Sequence, residues 1–323
     1  MAATMADVAK MAGVGVGTVS RVLNGGKSVN EHTKIAVINA MNTLNYSPNS
    51  MAKRLREQKS GIIALMIPVV AHPFFAQFAE CIEKAADKHG YSVLLVASQQ
   101  CVQKESRIME RIKRREVDGA IFVTHFAHNP DEFTGCPLVS VDRHLADGIP
   151  FVTSDNYDAT EKSIEYLISK GCKRIGYIGS KPQVESEVVL REKAYRDVMR
   201  RHGMEECVVN DVIIHGGEPS VVRKFLDKFG DADGVFAAGC SVATEFCAEA
   251  ERAGKRIPDD VQVVAYDGMF GNWSNYNSIT CVEQPVEQMA ETAVELLIKK
   301  IEDRDVPQKV IHKSKFVVGM TTK

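Results

Sequence analysis

The chain has 323 residues, 45% of them apolar and 25% charged, with a formal net charge of −2. This is globular composition, long enough for two or three domains, and it excludes disordered and fibrous classes. The longest apolar run, Ile62 to Ala71, has ten residues and contains a proline, whereas a membrane-spanning helix needs roughly 20, so no membrane partner is expected. The N-terminus shows no basic patch followed by an apolar run, and cytoplasmic residence is the expectation. The eight cysteines lie far apart with no C-x-x-C pair. They read as reduced, mostly buried thiols, with no disulfide scaffold, metal site or cofactor.

The near-neutral total hides an asymmetry. Residues 1–60 carry eight Lys/Arg against three acids, a balance of +5, which leaves the rest of the chain at −7. A small basic head on an acidic body suggests that the head meets a polyanion. In the first 45 residues no strand pattern occurs, but three short helical ones do. Asp7 to Met11 stops at Ala12-Gly13-Val14, a tight turn suited to glycine. A helix over Val16 to Leu23 buries Val19, Val22 and Leu23, which makes a helix-turn-helix. A third begins at Asn30-Glu31, with Asn30 as its N-cap and Ile35, Ile38, Met41 and Leu44 on the core face. Tyr46-Ser47-Pro48-Asn49 ends this domain, and a basic linker follows to residue 60. It has too few apolar residues to hold a helix alone.

From Gly61 the pattern becomes apolar strand, amphipathic helix, glycine, repeated. Strands are predicted at Ile62–Ile67, Tyr91–Ala97, Gly119–Val123, Val139–Val141, Ile175–Ile178, Val209–Ile214, Gly234–Ala237 and Val261–Ala265. Repeated β-α units with continuous apolar strands mean parallel sheets covered on both faces. There are too many for one comfortable sheet, so the fold class is α/β with two lobes and a ligand cleft at the strands' carboxyl ends.

Several segments resemble the LacI/GalR family of bacterial transcription regulators. They are Thr4 to Val14 with Thr18-Val19-Ser20-Arg21-Val22-Leu23-Asn24, Asn45 to Asn49, His72-Pro73-Phe74-Phe75, Val141-Asp142-Arg143, Arg191 with Ala194-Tyr195, Val263 to Asp267, and Glu283-Gln284-Pro285. They fall in family order along the whole chain. The resemblance implies a helix-turn-helix domain at 1–46, a hinge at 47–60, and a periplasmic-binding-protein-like ligand-binding and dimerisation core at 61–323. Its first lobe would hold about 61–156 and 285–312, its second about 157–284 and 313–323.

The resemblance puts base reading on Val16, Gly17 and Arg21. Arg21 has the fork for guanine, while Val16 suits a thymine methyl. Thr4, Thr18, Ser20 and Asn24 carry donors for phosphates. In the hinge, Leu55 matches the family's minor-groove wedge, with Lys53, Arg54 and Arg56 for flanking phosphates; the alternative is a leucine that packs between hinge and core. In the cleft the matching positions are Phe74, Phe75, Asp142, Arg191, Asp267 and Gln284. At least one of the two phenylalanines is expected in the core, and Asp142 and Arg143 could pair with each other. Trp273, the only tryptophan, could stack on a second sugar ring or anchor a loop. Gly15 stands where the family has a serine N-cap, and Ala238-Gly239-Cys240 where it has Asn-Asp.

These features predict a dimeric, ligand-responsive repressor of a carbohydrate operon. Its partners would be a near-palindromic operator duplex and a mono- or disaccharide effector. With no leucine heptad after the core, a homodimer and not a tetramer is expected. Control by a protein partner is the alternative. An enzyme is less favoured, because G-x-S-x-G, the P-loop and metal-ligand spacings are absent from the sequence.

Overall fold

A computed structural model describes residues 3–23, 29–46, 59–99, 101–124, 126, 128–212, 216–268 and 279–323. The chain divides into two compact units, Met1–Ser60 and Gly61–Lys323.

The first unit has three helices, α1 (Met5–Ala12), α2 (Val16–Leu23) and α3 (Glu31–Thr43). Thr4 and Asp7 form a reciprocal capping box at the start of α1. Gly13, at φ 67, closes its end in the left-handed conformation. Asn30 caps α3, its Oδ1 accepting from the Thr33 N–H at 2.7 Å. The mini-core is Val8, Ala9, Val19, Val37 and Ala40, with Val22, Leu23, Met41 and Leu44 packed around it. The stripe expected on α3 is corrected by one turn position. Ile35 and Ile38 are 52% and 42% exposed. The packed face runs Val37, Ala40, Met41, Leu44, an i, i+3, i+4, i+7 set in which small Ala40 lets the helices approach.

In the second unit the first sheet has the order β11-β5-β4-β3-β1-β2. Its strands are β1 (Ile62–Ile67), β2 (Ser92–Ala97), β3 (Gly119–Phe122), β4 (Leu138–Val141), β5 (Phe151–Ser154) and β11 (Lys309–His312), all parallel. The second sheet runs β12-β10-β9-β8-β6-β7. It contains β6 (Ile175–Ser180), β7 (Cys207–Asp211), β8 (Gly234–Ala237), β9 (Gln262–Tyr266), β10 (Thr280–Glu283) and β12 (Lys315–Val317), with only β12 antiparallel.

Each sheet is covered on both faces. On the first, α4 (Pro73–Lys88) and α10 (Val286–Ile301) bury one face while α5 (Val102–Lys113) buries the other. On the second, α6 (Asn156–Ser169) and α7 (Val189–Arg201) oppose α8 (Glu218–Phe229) and α9 (Cys240–Arg252). The chain passes between sheets three times: after Ser154, after Glu283, and between His312 and Lys315.

Four of these strands, β5, β10, β11 and β12, were not predicted. They have three or four residues each and carry Thr, Ser, Glu, Lys and His, so they lack the continuous apolar signature of the longer ones. Their polar ends lie at the crossings, where side chains bond between lobes. The strand expected at Val209–Ile214 is Cys207–Asp211, and Ile214 lies outside the described residues. All eight cysteines are free thiols, four of them buried. Burial pushes Cys172, Cys240 and Cys247 up to about 12, which leaves them protonated and unreactive.

Candidate functional site

In the first unit, the face of α2 that should read bases is open. Val16 is 48% exposed, and Gly17 and Arg21 are exposed beside it, while Val19 is buried on the far side. The Arg21 guanidinium folds back along its own helix, with Nε donating to the Gly17 carbonyl at 3.2 Å and Nη2 to Thr18 Oγ1 at 3.5 Å. These weak, exposed bonds leave it free to turn toward a groove at small cost. Thr18 and Ser20 are half-buried. Thr4 is already committed: its hydroxyl donates to Asp7 Oδ2 at 2.7 Å and accepts from the Asp7 N–H. The Thr4 hydroxyl and backbone N–H, both donating to Oδ2, hold the Asp7 carboxyl below its usual value. A phosphate would therefore have to share Thr4 with the capping box. Asn24, Lys53, Arg54, Leu55 and Arg56 lie outside the described residues.

A Cβ at Gly15 or Gly17 would meet nothing within 4 Å. Neither glycine is required by local packing, and each weakens the helix start. We expect Gly17→Ala to stabilise the N-terminal unit by about 0.8 to 1.0 kcal/mol, the propensity difference. Thermal melting of the isolated unit against wild type checks this.

The second candidate lies in the Gly61–Lys323 unit, where the carboxyl ends of the two sheets meet. Asp142 follows β4 and Asp267 follows β9; both are buried and both sit at positive φ, 57 and 66. Non-glycine residues held there mark a backbone that its surroundings over-determine. One oxygen of each carboxylate is occupied: Asp142 Oδ1 accepts from Thr153 Oγ1 at 2.6 Å, and Asp267 Oδ1 accepts from Gln284 Nε2. The other oxygens have no partner among the described residues. Burial pushes the Asp267 carboxyl up, while Arg191, Gln284 and His72 draw it back and Asp142 adds to the rise. First-lobe groups, His72 and Asp142, thus act directly on a second-lobe carboxylate.

Arg191, in the first turn of α7, is only 4% exposed. Its Nε donates to Asn156 Oδ1 at 2.7 Å and Nη1 to the Ala238 carbonyl at 2.8 Å, and Cζ lies 3.5 Å above the Tyr266 ring centre. Three of its five N–H groups have no partner among the described residues. A rigid fork with open donors beside two half-open carboxylates can grip vicinal hydroxyls, each of which donates to a carboxylate while accepting from the guanidinium.

Of the two phenylalanines, Phe74 belongs to the core, 4% exposed and stacked on Phe78 at 5.9 Å. Phe75 is half-buried and meets Phe74 edge-on, so it alone is available to a ligand. The Gln284 amide is consumed internally, since Oε1 accepts from Ser154 Oγ at 2.7 Å and Nε2 donates to Asp267. Tyr266 OH lies 2.8 Å from Ser154 Oγ. Gln284 therefore positions Asp267. Asp142 and Arg143 do not pair through their side chains: Arg143 reaches the carbonyls of Thr124 and Asp142 and the Ser186 hydroxyl. Its burial lowers its pKa to about 10. Ser186, from the second lobe, donates to the Asp142 carbonyl at 2.9 Å. Trp273 lies outside the described residues.

Asn156, Thr153, Ser154, Tyr266 and Arg143 were not singled out as site residues. The available signal was the polar run Thr153-Ser154-Asp155-Asn156 at a strand's carboxyl end, while Arg143 and Tyr266 lie within segments that carry the family resemblance.

Residues 4–49 match the model of the bacterial regulatory proteins of the lacI family, and residues 164–322 that of a periplasmic binding protein-like domain. Over 323 residues the chain is 36% identical to the ribose operon repressor of Halalkalibacterium halodurans, covering 99% of this chain and 97% of the relative. The chain belongs to the lacI family. Another member, the sucrose operon repressor of Streptococcus mutans, is 31% identical over 318 residues, 96% of this chain and 97% of the relative. Among solved structures, a transcriptional regulator CelR–cellobiose complex is 28% identical, with a TM-score of 0.71 over 99% of both chains. The lac repressor dimer bound to operator and the anti-inducer ONPF has a TM-score of 0.84 over 100% of this chain and 99% of that one. At 22% identity it speaks for the fold of this lacI-family chain alone.

Proposed function

We propose that this chain is a transcriptional repressor that binds a near-palindromic operator as a homodimer and is switched by a mono- or disaccharide held between its lobes. The observation that carries this reading is the convergence of the Arg191 fork with the half-open carboxylates of Asp142 and Asp267, in a chain that begins with an exposed recognition-helix face. Ribose and sucrose, the sugars named for its relatives, are the first candidates. It acts in the cytoplasm and catalyses no reaction. Val16, Gly17 and Arg21 read bases; Thr18, Ser20, Asn24, Lys53, Arg54 and Arg56 hold phosphates, and Leu55 wedges the minor groove.

The test is operator binding by gel shift or fluorescence anisotropy, with and without each sugar. Affinity should fall with salt by about 0.9 log units per log unit for each phosphate contact. Arg21→Ala should cost roughly 1 to 3 kcal/mol and relax the base preference at one half-site position, whereas Lys53→Ala should weaken all sequences alike. Equal affinity for every palindrome and for random DNA would refute the reading. Sugar-independent binding would refute the switch.

A further inference from the structure

We propose that the second lobe carries an anion site, separate from the interlobe site, that takes a small phosphate monoester. At the carboxyl ends of β6 and β7, a cavity of about 440 Å³ is lined by Lys181, Arg196, Lys224 and Lys228, with the acids Glu192 and Asp211. An adjoining depression of about 570 Å³ shares Lys224 and Lys228 and adds Arg223 and Asp227. The joint lining is thus net positive, on a body whose sequence sums to −7. Two of the three acids are paired within the lining, Asp227 has no ion-pair partner among the described residues, and Arg196 and Arg223 are also paired with Glu206 and Glu249 beyond it. Asp211 pairs with Lys224 at 2.6 Å, and Glu192 pairs with Arg196 and holds the Asn210 amide. Lys181 and Lys228 have no ion-pair partner among the described residues. These two unpaired ammonium groups, beside the single unpaired carboxylate of Asp227, can hold a phosphate monoester, which carries about −1.5 to −2 charges at pH 7. Pro182, Val189 and Val208 supply an apolar wall for a carbon skeleton beyond the phosphate. The volume is within the usual range for small-molecule sites.

The cavity is also wired to the interlobe site, a part of the argument that rests on the function proposed above. Arg191 and the cavity residues Glu192 and Arg196 share α7. Lys181 and Pro182 begin the loop whose Ser186 and Glu187 bond to the Asp142 carbonyl of the first lobe. An anion that pins this loop and helix therefore biases the arrangement of the lobes that the sugar also reads.

Isothermal titration of the full chain at constant ionic strength would use ribose 5-phosphate as probe, beside inorganic phosphate, sulfate and ribose. Ribose 5-phosphate should bind wild type and Arg191→Ala alike, and at least tenfold more weakly to Lys181→Gln/Lys228→Gln. Both lysines are exposed, so the double variant should keep the wild-type melting temperature. Ribose affinity should be unchanged in it, and in wild type should shift at least fivefold when ribose 5-phosphate is present. No binding at millimolar concentration would overturn the site. So would loss in Arg191→Ala with retention in the lysine pair, which would place the probe between the lobes. Sulfate bound as tightly as ribose 5-phosphate would also overturn it, as mere screening of a charged patch. If ribose binds no variant while ribose 5-phosphate follows the lysine pattern, ribose is excluded as the interlobe effector and the anion site stands.

Discussion

Arg191→Ala is expected to weaken effector binding by more than a hundredfold and to leave effector-free operator affinity nearly unchanged. Wild-type Arg191 is held by Asn156 Oδ1, the Ala238 carbonyl and the Tyr266 ring before any ligand arrives. A sugar that meets it therefore gives up little of its binding energy to order the side chain. Each hydrogen bond to a charged group contributes about 1.5–3 kcal/mol, so losing two amounts to about 3 kcal/mol or more. At 1.4 kcal/mol per factor of ten, that exceeds a hundredfold in Kd. Arg191→Lys should fail nearly as badly, because a single ammonium nitrogen cannot reproduce the planar fork that reaches Asn156 and the Ala238 carbonyl while presenting parallel donors to two hydroxyls. Titration of both variants with ribose and sucrose, with melting temperatures to check the fold, decides the matter. Wild-type affinity for every sugar that binds would remove Arg191 from recognition.

The same side chain lies on a hydrogen-bond path between the two lobes. A continuous path runs from Asp142 Oδ1 to Thr153 Oγ1, from there to Asn156 Nδ2 at 3.1 Å, and on to Arg191. A second joins Tyr266, Ser154, Gln284 and Asp267 beside the strand crossings. Both cross the lobe boundary, so a ligand that redistributes these bonds has a differential affinity for two lobe arrangements. By linkage, the operator must then alter sugar affinity by the same factor as the sugar alters operator affinity, typically 5- to 150-fold.

How far the sequence discloses this site depends on the residue. Asp142, Arg191 and Asp267 enter through the family resemblance; each is a charged residue at the carboxyl end of an apolar strand or in the first turn of a helix, a placement that alone would not single them out. Gln284 also enters through the resemblance, and only geometry reveals that both ends of its amide are taken. Phe74 and Phe75 are adjacent and chemically identical; which one enters the core depends on the rotation of α4. Ile35 and Ile38 were misassigned for a related reason. Helical spacing admits two stripes on α3, and the choice belongs to the stripe that packs with Val8, Ala9 and Val19. The buried pair of Glu105 and His128 left no sequence signal at all, being 23 residues apart on a helix and a loop.

His128→Ala is expected to cost the core about 3–5 kcal/mol of stability. Glu105 is fully buried, and its Oε2 accepts from His128 Nε2 at 2.6 Å and from the Thr124 hydroxyl. The His128 side chain is 1% exposed, with Glu132 Oε2 3.6 Å from Nδ1. Removing the imidazole strands a carboxylate in the interior, which is why breaking a buried pair costs more than the pair contributes. Glu105→Gln/His128→Ala should regain much of the loss, since a neutral amide tolerates burial and can still accept from Thr124. The pH dependence has a definite sign. Burial alone would push the His128 pKa down, but the hydrogen bond and charge of Glu105, then Glu132, outweigh it and hold the ring above its ordinary value. The contribution is thus complete below the unfolded pKa of about 6.5 and is lost as pH rises through the higher folded value. Urea unfolding at pH 6 and pH 9 should show wild type less stable at the higher pH, with that difference reduced in the double variant. The consequence reaches the ligand site, because Thr124 also presents its carbonyl to Arg143, which braces Asp142 and Ser186 across the lobes. A loss below 1 kcal/mol in His128→Ala, or one fully retained in the double variant, would show that the pair is not what holds this corner together.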